Sequence, residues 1–142
     1  MIYPTITQEI YARLKDIGVL DVMGSVVVVD IKYPPIRITA FDRMGDARKI
    51  KIEQYVDQKS GTPITFREVA IRILDGSKSA EGVSWFNDSA GGAHGGQDSD
   101  PSGGSPREQQ AIAKFLNEIA LEWIKELDRR GFRYDASAQS EP

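Results

Sequence analysis

The stretch of sequence that decides the fold is residues 36–55, which read IRITAFDRMGDARKIKIEQY. Both ends of this stretch alternate apolar and polar residues, which is the pattern of a strand buried on one face only. The middle, residues 42–46, is rich in residues that favour turns. Two alternating strands joined by a short turn predict an antiparallel hairpin, because parallel strands need crossovers of about a dozen residues or more.

Further strand patterns flank this hairpin. Residues 25–31 (SVVVVDI) are dominated by valine, whose branched side chain favours a pleated strand. The Tyr-Pro-Pro segment at 33–35 should bend or stop that strand, because proline has no amide hydrogen to donate. Residues 66–74 (FREVAIRIL) alternate again after a turn-rich segment, and residues 83–86 (VSWF) are a weaker fifth candidate. The sequence predicts an antiparallel meander of four or five strands.

Helix patterns lie at both ends of the chain. Thr5 and Gln8 have the spacing of a capping box, and residues 6–17 then follow helical periodicity. Near the other end, Ser105 and Glu108 flank a proline at the first helical position, which predicts the start of a long amphipathic helix. Its apolar stripe consists of Ile112, Leu116, Ile119, Trp123 and Leu127. The predicted class is α+β, with an N-terminal helix and a long C-terminal helix packed on one face of the sheet.

Length and composition favour one domain. A chain of 142 residues can bury roughly two-thirds of its unfolded surface in a single core. We assign that domain to residues 1–134 and predict a flexible Gly/Ser-rich loop at 88–105, where the composition could not build a core. Residues 135–142 lack an apolar anchor and are predicted to be a disordered tail.

Charge and cysteine usage exclude several functional classes. The formal net charge of −3 lacks the basic excess typical of nucleic-acid-binding domains. With no cysteine, the chain has no disulfide, thiol nucleophile or thiolate zinc site, which suits a reducing compartment and makes the cytoplasm the expected location. We find neither a signal-peptide pattern nor an apolar run long enough to span a membrane, so no membrane partner is expected.

Motifs for catalysis or cofactor binding are not found. The sequence contains no phosphate-binding loop, dinucleotide fingerprint or nucleophile elbow. His94 has Asp88, Asp98 and Asp100 nearby, but a glycine-rich loop does not hold ligands at fixed distances. We therefore predict no catalytic residue, no cofactor and no metal site.

Basic residues on the strands form the first candidate surface. Alternation places four of them on the polar face of the sheet, together with Phe41, Tyr55 and the acidic Glu53 and Glu68. The four are Arg37, Lys49, Lys51 and Arg72. Basic residues interleaved with aromatic ones can bind nucleic acid, but cross-strand charge pairing explains the mixture with fewer assumptions.

An acidic ridge on the C-terminal helix forms the second candidate surface. Glu118, Glu122 and Glu126 follow one another at intervals of four, which places them on one side of the helix. They could contact a basic partner, although an ordinary solvated face is the simpler interpretation. Trp123 is expected in the core, whereas Trp85 is the better candidate for partial exposure and completes this surface.

Two segments resemble the YqiB-like family of small proteobacterial and mobile-element proteins. They are IRITAFDRMGDARKIKIEQY and EVAIRILDG, in which Arg72 lies inside an apolar run as in that family. The resemblance covers well under half of the chain. The long Gly/Ser loop departs from the family, as does the segment Ile73, Leu74, Asp75, which stands where members often have Tyr-His-Asp. The resemblance implies the order of the strands and no activity.

Function is argued by elimination. The leading hypothesis is a small non-enzymatic cytoplasmic protein that contacts another protein, as an accessory, inhibitor or adaptor encoded by a phage or another mobile element. The alternative is a nucleic-acid-binding module that uses the basic face of the sheet. An enzyme ranks third, because the sequence places no two carboxylates reliably together among Asp30, Asp42, Asp46, Glu53 and Asp75. The sequence does not identify the protein partner or the oligomeric state.

Overall fold

The computed structural model describes residues 5–30, 33–41, 45, 47–56, 64–87, 93–96 and 105–134. Two helices and two short 3₁₀ turns accompany the strands. The helices are α1 (Ile6–Asp16) and α2 (Pro106–Arg129), and the turns are Val19–Asp21 and Asp75–Ser77. The strands are β1 (Ser25–Asp30), β2 (Tyr33–Ala40), β3 (Ala47–Val56), β4 (Ile64–Leu74), β5 (Ser79–Asn87) and β6 (Ala93–Gly96).

The strands form one sheet in chain order. The order is β1-β2-β3-β4-β5-β6, and every neighbouring pair is antiparallel. The predicted α+β class and antiparallel meander are confirmed. The sheet has one strand more than the four or five expected, because β6 pairs with β5 through its backbone and has no strand pattern in its Ala-His-Gly-Gly sequence.

Apart from β6 and Ser105, the predicted loop at 88–105 lies outside the described residues, as does the tail at 135–142.

The Tyr-Pro-Pro segment begins β2 rather than ending β1. Val28 pairs with Ile36 and Asp30 with Tyr33, so the two prolines lie together opposite Val29. This irregularity accommodates residues that cannot donate to the ladder. The interruption predicted at this segment therefore lies at the start of the second of two antiparallel strands.

Both helices pack on the same face of the sheet. The core beneath them is formed by the inward residues of the central strands, as alternation predicts. These residues are Ile36, Ile38, Ile50, Ile52, Val69, Ile71 and Ile73, all buried. From the helices, Ile10, Leu14, Trp123, Ile124 and Leu127 complete the core. We call the opposite face, which no described helix covers, the open face.

A close approach at Gly82 fixes the position of α2 across β5. The backbone of α2 lies so near that a Cβ on Gly82 would be 2.5 Å from the carbonyl oxygen of Leu116. The buried side chain of Asn117 accepts a hydrogen bond from the Gly82 amide at 2.7 Å. Together these contacts set which residues of α2 lie beside the sheet and which project beyond it.

The chain after α2 returns to the end of α1. Gly131 has φ +79, and Phe132 packs against the core. The Tyr134 amide donates to the Ile17 carbonyl at 2.9 Å. This contact requires a glycine at position 18, because its φ is +83 and a Cβ there would lie 2.0 Å from the Tyr134 carbonyl oxygen.

Candidate functional site

A cleft of about 460 Å³ opens to solvent between α2 and the strands β4 and β5. Trp85, Phe115, Ile119 and Trp123 supply its apolar walls, and Glu118 and Glu122 lie at its rim. We call these six residues the aromatic–acidic cleft. They bring together the two parts of the second surface predicted from sequence, Trp85 and the acidic side of α2.

Register and helical spacing place these residues together. Trp85 pairs with Val69, an inward residue of β4, so its side chain lies on the face covered by the helices. Phe115, Glu118 and Glu122 follow at helical spacing along one side of α2. The cleft therefore depends on where α2 crosses β5.

An aromatic pair dominates the exposed wall. The rings of Trp85 and Phe115 lie 5.9 Å apart between centroids and meet edge to face at 74°. Edge-to-face contact is a favourable arrangement of aromatic rings. Phe115 nevertheless remains 51% exposed, and Ile112, one turn earlier in α2, is 44% exposed. Two apolar residues of α2 one turn apart are thus about half exposed, and Phe115 lines the cleft.

The acidic ridge divides into two parts with different surroundings. Glu126 accepts from Arg67 at 2.9 Å and also pairs with Arg130. Glu118 and Glu122 are exposed and have no cation within 4.0 Å among the described residues. Two carboxylates of the ridge are therefore free to meet a cation from outside, and the third is neutralised within the molecule.

Arg67 is the residue of this region that the sequence interpretation missed. Its guanidinium lies 4.6 Å from the centre of the Trp123 ring while it pairs with Glu126. Trp123 itself is 2% exposed, which confirms its predicted burial. Strand alternation could have placed Arg67 here, because position 67 is in phase with Val69, Ile71 and Ile73 and therefore lies on the face covered by the helices.

The four basic residues predicted as a nucleic-acid surface all lie on the open face. Arg37 is stacked over Tyr55 at 5.1 Å, and the Lys49 ammonium lies 5.3 Å from the centre of the Phe41 ring. Cation–π contacts of this kind hold the charge against a ring. Both aromatic residues expected on this face are thus in contact with its cations.

The other two cations of the open face are paired with carboxylates. Lys51 lies 3.5 Å from Glu53 and 3.4 Å from Glu68, and Arg72 lies 2.6 Å from Glu81. Opposite charges therefore contact one another on this face, even though the register places Lys49 opposite Arg72 and Glu53 opposite Glu68. The contacts of Lys51 with Glu68 and of Arg72 with Glu81 are the cross-strand charge pairs that the sequence favours over a nucleic-acid surface.

A partly buried ionic cluster connects α1 to the end of the sheet. Arg48 Nε lies 2.9 Å from Asp75 Oδ2, and Arg48 Nη1 donates to the Leu20 carbonyl at 2.9 Å. The Tyr11 hydroxyl donates to Asp75 at 3.2 Å. Burial raises the pKa of Tyr11, and the charge and hydrogen bond of Asp75 add to the rise, while Arg48 opposes it. The cluster joins α1, β3 and both 3₁₀ turns, and it contains a single carboxylate rather than a pair.

The remaining carboxylates considered for catalysis do not gather in the described part of the chain. Glu53 accepts from Thr65 at 3.1 Å and lies on the open face, away from Asp75. Asp42, Asp46 and the side chain of Asp30 lie outside the described residues. The same holds for the side chain of His94 and for Asp88, Asp98 and Asp100.

The described residues contain neither a metal site nor a membrane-spanning helix. No three or more of their histidine or acidic residues are grouped so that they could hold a metal ion. No helix among these residues is both long and apolar enough to cross a membrane.

Comparison of the chain with protein-family models, curated proteins and solved structures found no match. The resemblance to the YqiB-like family stays a prediction.

Proposed function

We propose that this protein acts by binding another protein through the aromatic–acidic cleft, as a small non-enzymatic accessory, inhibitor or adaptor. The observation that carries the proposal is the 51% exposure of Phe115 beside Trp85 in an open cleft. Aromatic side chains at the centre of an exposed apolar patch are typical anchors of protein interfaces.

The charges at the rim specify the chemistry of the partner. Glu118 and Glu122 are exposed without a cation within 4.0 Å among the described residues, and they flank the apolar wall. A partner segment that carries an apolar side chain next to a lysine or arginine would satisfy both features. The partner's cation would also meet the faces of the aromatic rings, which attract positive charge.

Nucleic-acid binding by the open face is the alternative, and it has less support. Arg37, Lys49, Lys51 and Arg72 each have a partner within the molecule. Binding phosphate would require these contacts to be exchanged, which reduces the gain from counterion release.

The location and origin that we propose rest on the sequence. A cysteine-free chain suits a reducing compartment, so we place the protein in the cytoplasm. A phage or another mobile element as its source rests on the resemblance to the YqiB-like family.

A photo-crosslinking amino acid at position 115 tests the proposal. The tagged variant is expressed in the native host, irradiated and purified with and without nuclease, and the captured species are identified by mass spectrometry. We expect one protein to be crosslinked from position 115 and not from position 15, an exposed site on α1. Capture of nucleic acid, or equal capture from both positions, would contradict the proposal.

Charge reversal at the rim tests the chemistry of the partner. Glu122→Lys should weaken the crosslink at position 115 at least about tenfold, because it places a cation against the partner's cation. Asp16→Lys is the matched control, since it makes the same change in net charge at an exposed position on α1. Equal yields from the two variants would show that the acidic rim does not contact the partner.

A further inference from the structure

The edge of the sheet at β1 is open. Within the described chain, β1 is the first strand of the sheet and pairs only with β2. The Gly24 carbonyl accepts from the Ala40 amide at 2.7 Å, so the backbone of Gly24 faces β2. Because successive residues of a regular strand direct their backbone groups to opposite sides, Ser25 and Val27 direct theirs away from β2.

Over residues 25–28 this edge has little of the usual protection against pairing, and the irregularity after Val28 and the charge of Asp30 lie at its end. Residues 25–29 read SVVVV, without charge or proline. Val27 is 41% exposed and pairs with Arg37 on the open face, and Val29 is 72% exposed. Natural edge strands are commonly kept apart by lysine, proline or shortness. The opposite edge follows that rule, since β6 has only four residues.

We propose that two copies of this chain pair through β1, antiparallel about a twofold axis, to form one continuous sheet. The outward backbone groups of Ser25 and Val27 allow a symmetric register in which Val27 lies opposite Val27 of the second copy. A second copy fits because the strand is self-complementary, with valine meeting valine and no like charges opposed. Val27 of each copy then covers its counterpart on the joined open faces.

The proposed dimer is independent of the aromatic–acidic cleft. The cleft lies between α2 and the strands β4 and β5, whereas β1 is separated from β4 by two strands. Pairing at β1 therefore leaves both clefts open. Failure of one proposal does not affect the other.

Charge complementation at position 27 tests the dimer, with the molar mass measured by sedimentation equilibrium over a range of concentrations. Val27→Lys and Val27→Glu should each weaken self-association at least about tenfold, since each places like charges directly opposite one another. An equimolar mixture of the two variants should restore a heterodimer. Position 27 is partly exposed, so both variants should keep the wild-type far-ultraviolet circular dichroism.

Ile112→Lys is the control, because it changes an exposed apolar residue on α2. It should leave the dimer intact. A wild-type chain that stays monomeric at about 0.5 mM overturns the proposal. A dimer that is lost in Ile112→Lys but kept in Val27→Lys also overturns the proposal, because it would place the interface at α2. Val27→Cys then tests the register, since the chain has no other cysteine and oxidation should link the two copies.

Discussion

At the residue scale, Gly82 shows how one position controls the candidate site. The glycine lets the backbones of β5 and α2 approach, and Asn117 joins them by a hydrogen bond. Phe115 and Glu118 lie on the same turns of α2 as Leu116 and Asn117. The wall of the cleft is therefore positioned by a buried contact that contributes no atom to the cleft.

Gly82→Ala should destabilise the fold by about 1 to 3 kcal/mol, because its methyl group would meet the Leu116 carbonyl and α2 would have to move outward. Urea denaturation followed by circular dichroism gives the free energy of unfolding. Gly76→Ala is the matched control, since no atom lies within 4 Å of a Cβ at that glycine. Equal stability of the two variants would show that α2 does not depend on this approach.

Tyr11 connects stability to alkaline pH. Its pKa is raised in the folded state above the ordinary tyrosine value of about 10, mainly by burial and then by Asp75. The folded state therefore favours the neutral phenol, and this contribution to stability is present below pH about 10 and is lost as pH rises through the folded pKa.

Tyr11→Phe should therefore be less stable than the wild type at neutral pH, through loss of the hydrogen bond to Asp75. It should also lose less stability between pH 9 and 11. Urea denaturation at several pH values measures both effects, and the difference in phenolate absorbance between the two proteins gives the titration of Tyr11. A midpoint at or below pH 10 would contradict the expected direction.

At the scale of elements, the helix starts and the inward faces of the strands follow from local sequence. The Ser105 side chain accepts from the Glu108 amide at 3.2 Å, and Thr5 caps α1 through the Gln8 amide in the same way. Helix α1 ends at Asp16, within one residue of the prediction. These features were predictable because capping and alternation depend on residues only a few positions apart.

The segment after α2 stabilises the fold although it has no regular structure. Truncation after Gly131 removes the packing of Phe132 and the hydrogen bond from Tyr134 to Ile17, and should destabilise the protein by about 2 to 4 kcal/mol. Truncation after Tyr134, which removes only residues 135–142, should leave the thermal midpoint within about 2 °C of the wild type. Similar midpoints for the two truncated chains would show that residues 132–134 do not hold α1 against α2.

At the scale of the whole molecule, the distribution of charge separates the two candidate surfaces. On the open face, Lys51 and Arg72 pair with carboxylates while the other two cations contact aromatic rings. Glu118 and Glu122 have no cation within 4.0 Å among the described residues and place negative charge beside the cleft. Composition alone gave the net charge of −3, and it did not show where the excess lies.

The paired charges predict weak binding to nucleic acid. Fluorescence anisotropy with labelled single-stranded and duplex DNA at 0.05 and 0.15 M salt should show little binding at micromolar protein and little change with Lys49→Glu plus Lys51→Glu. Tight binding that falls steeply with salt and is lost in the double variant would favour the open face as the functional surface.

By itself, the sequence determined the α+β class, the antiparallel meander and the residues of the core, because these follow from periodicity and from short connections. It also indicated Trp85 and the acidic side of α2 as candidate contact residues. Only the tertiary structure decided that Glu126 is neutralised by Arg67, that Glu118 and Glu122 lie beside an exposed aromatic pair, and that β6 extends the sheet. Those outcomes depend on the crossing of α2 over Gly82 and on backbone pairing between strands, and neither is encoded in the spacing of residues along one element.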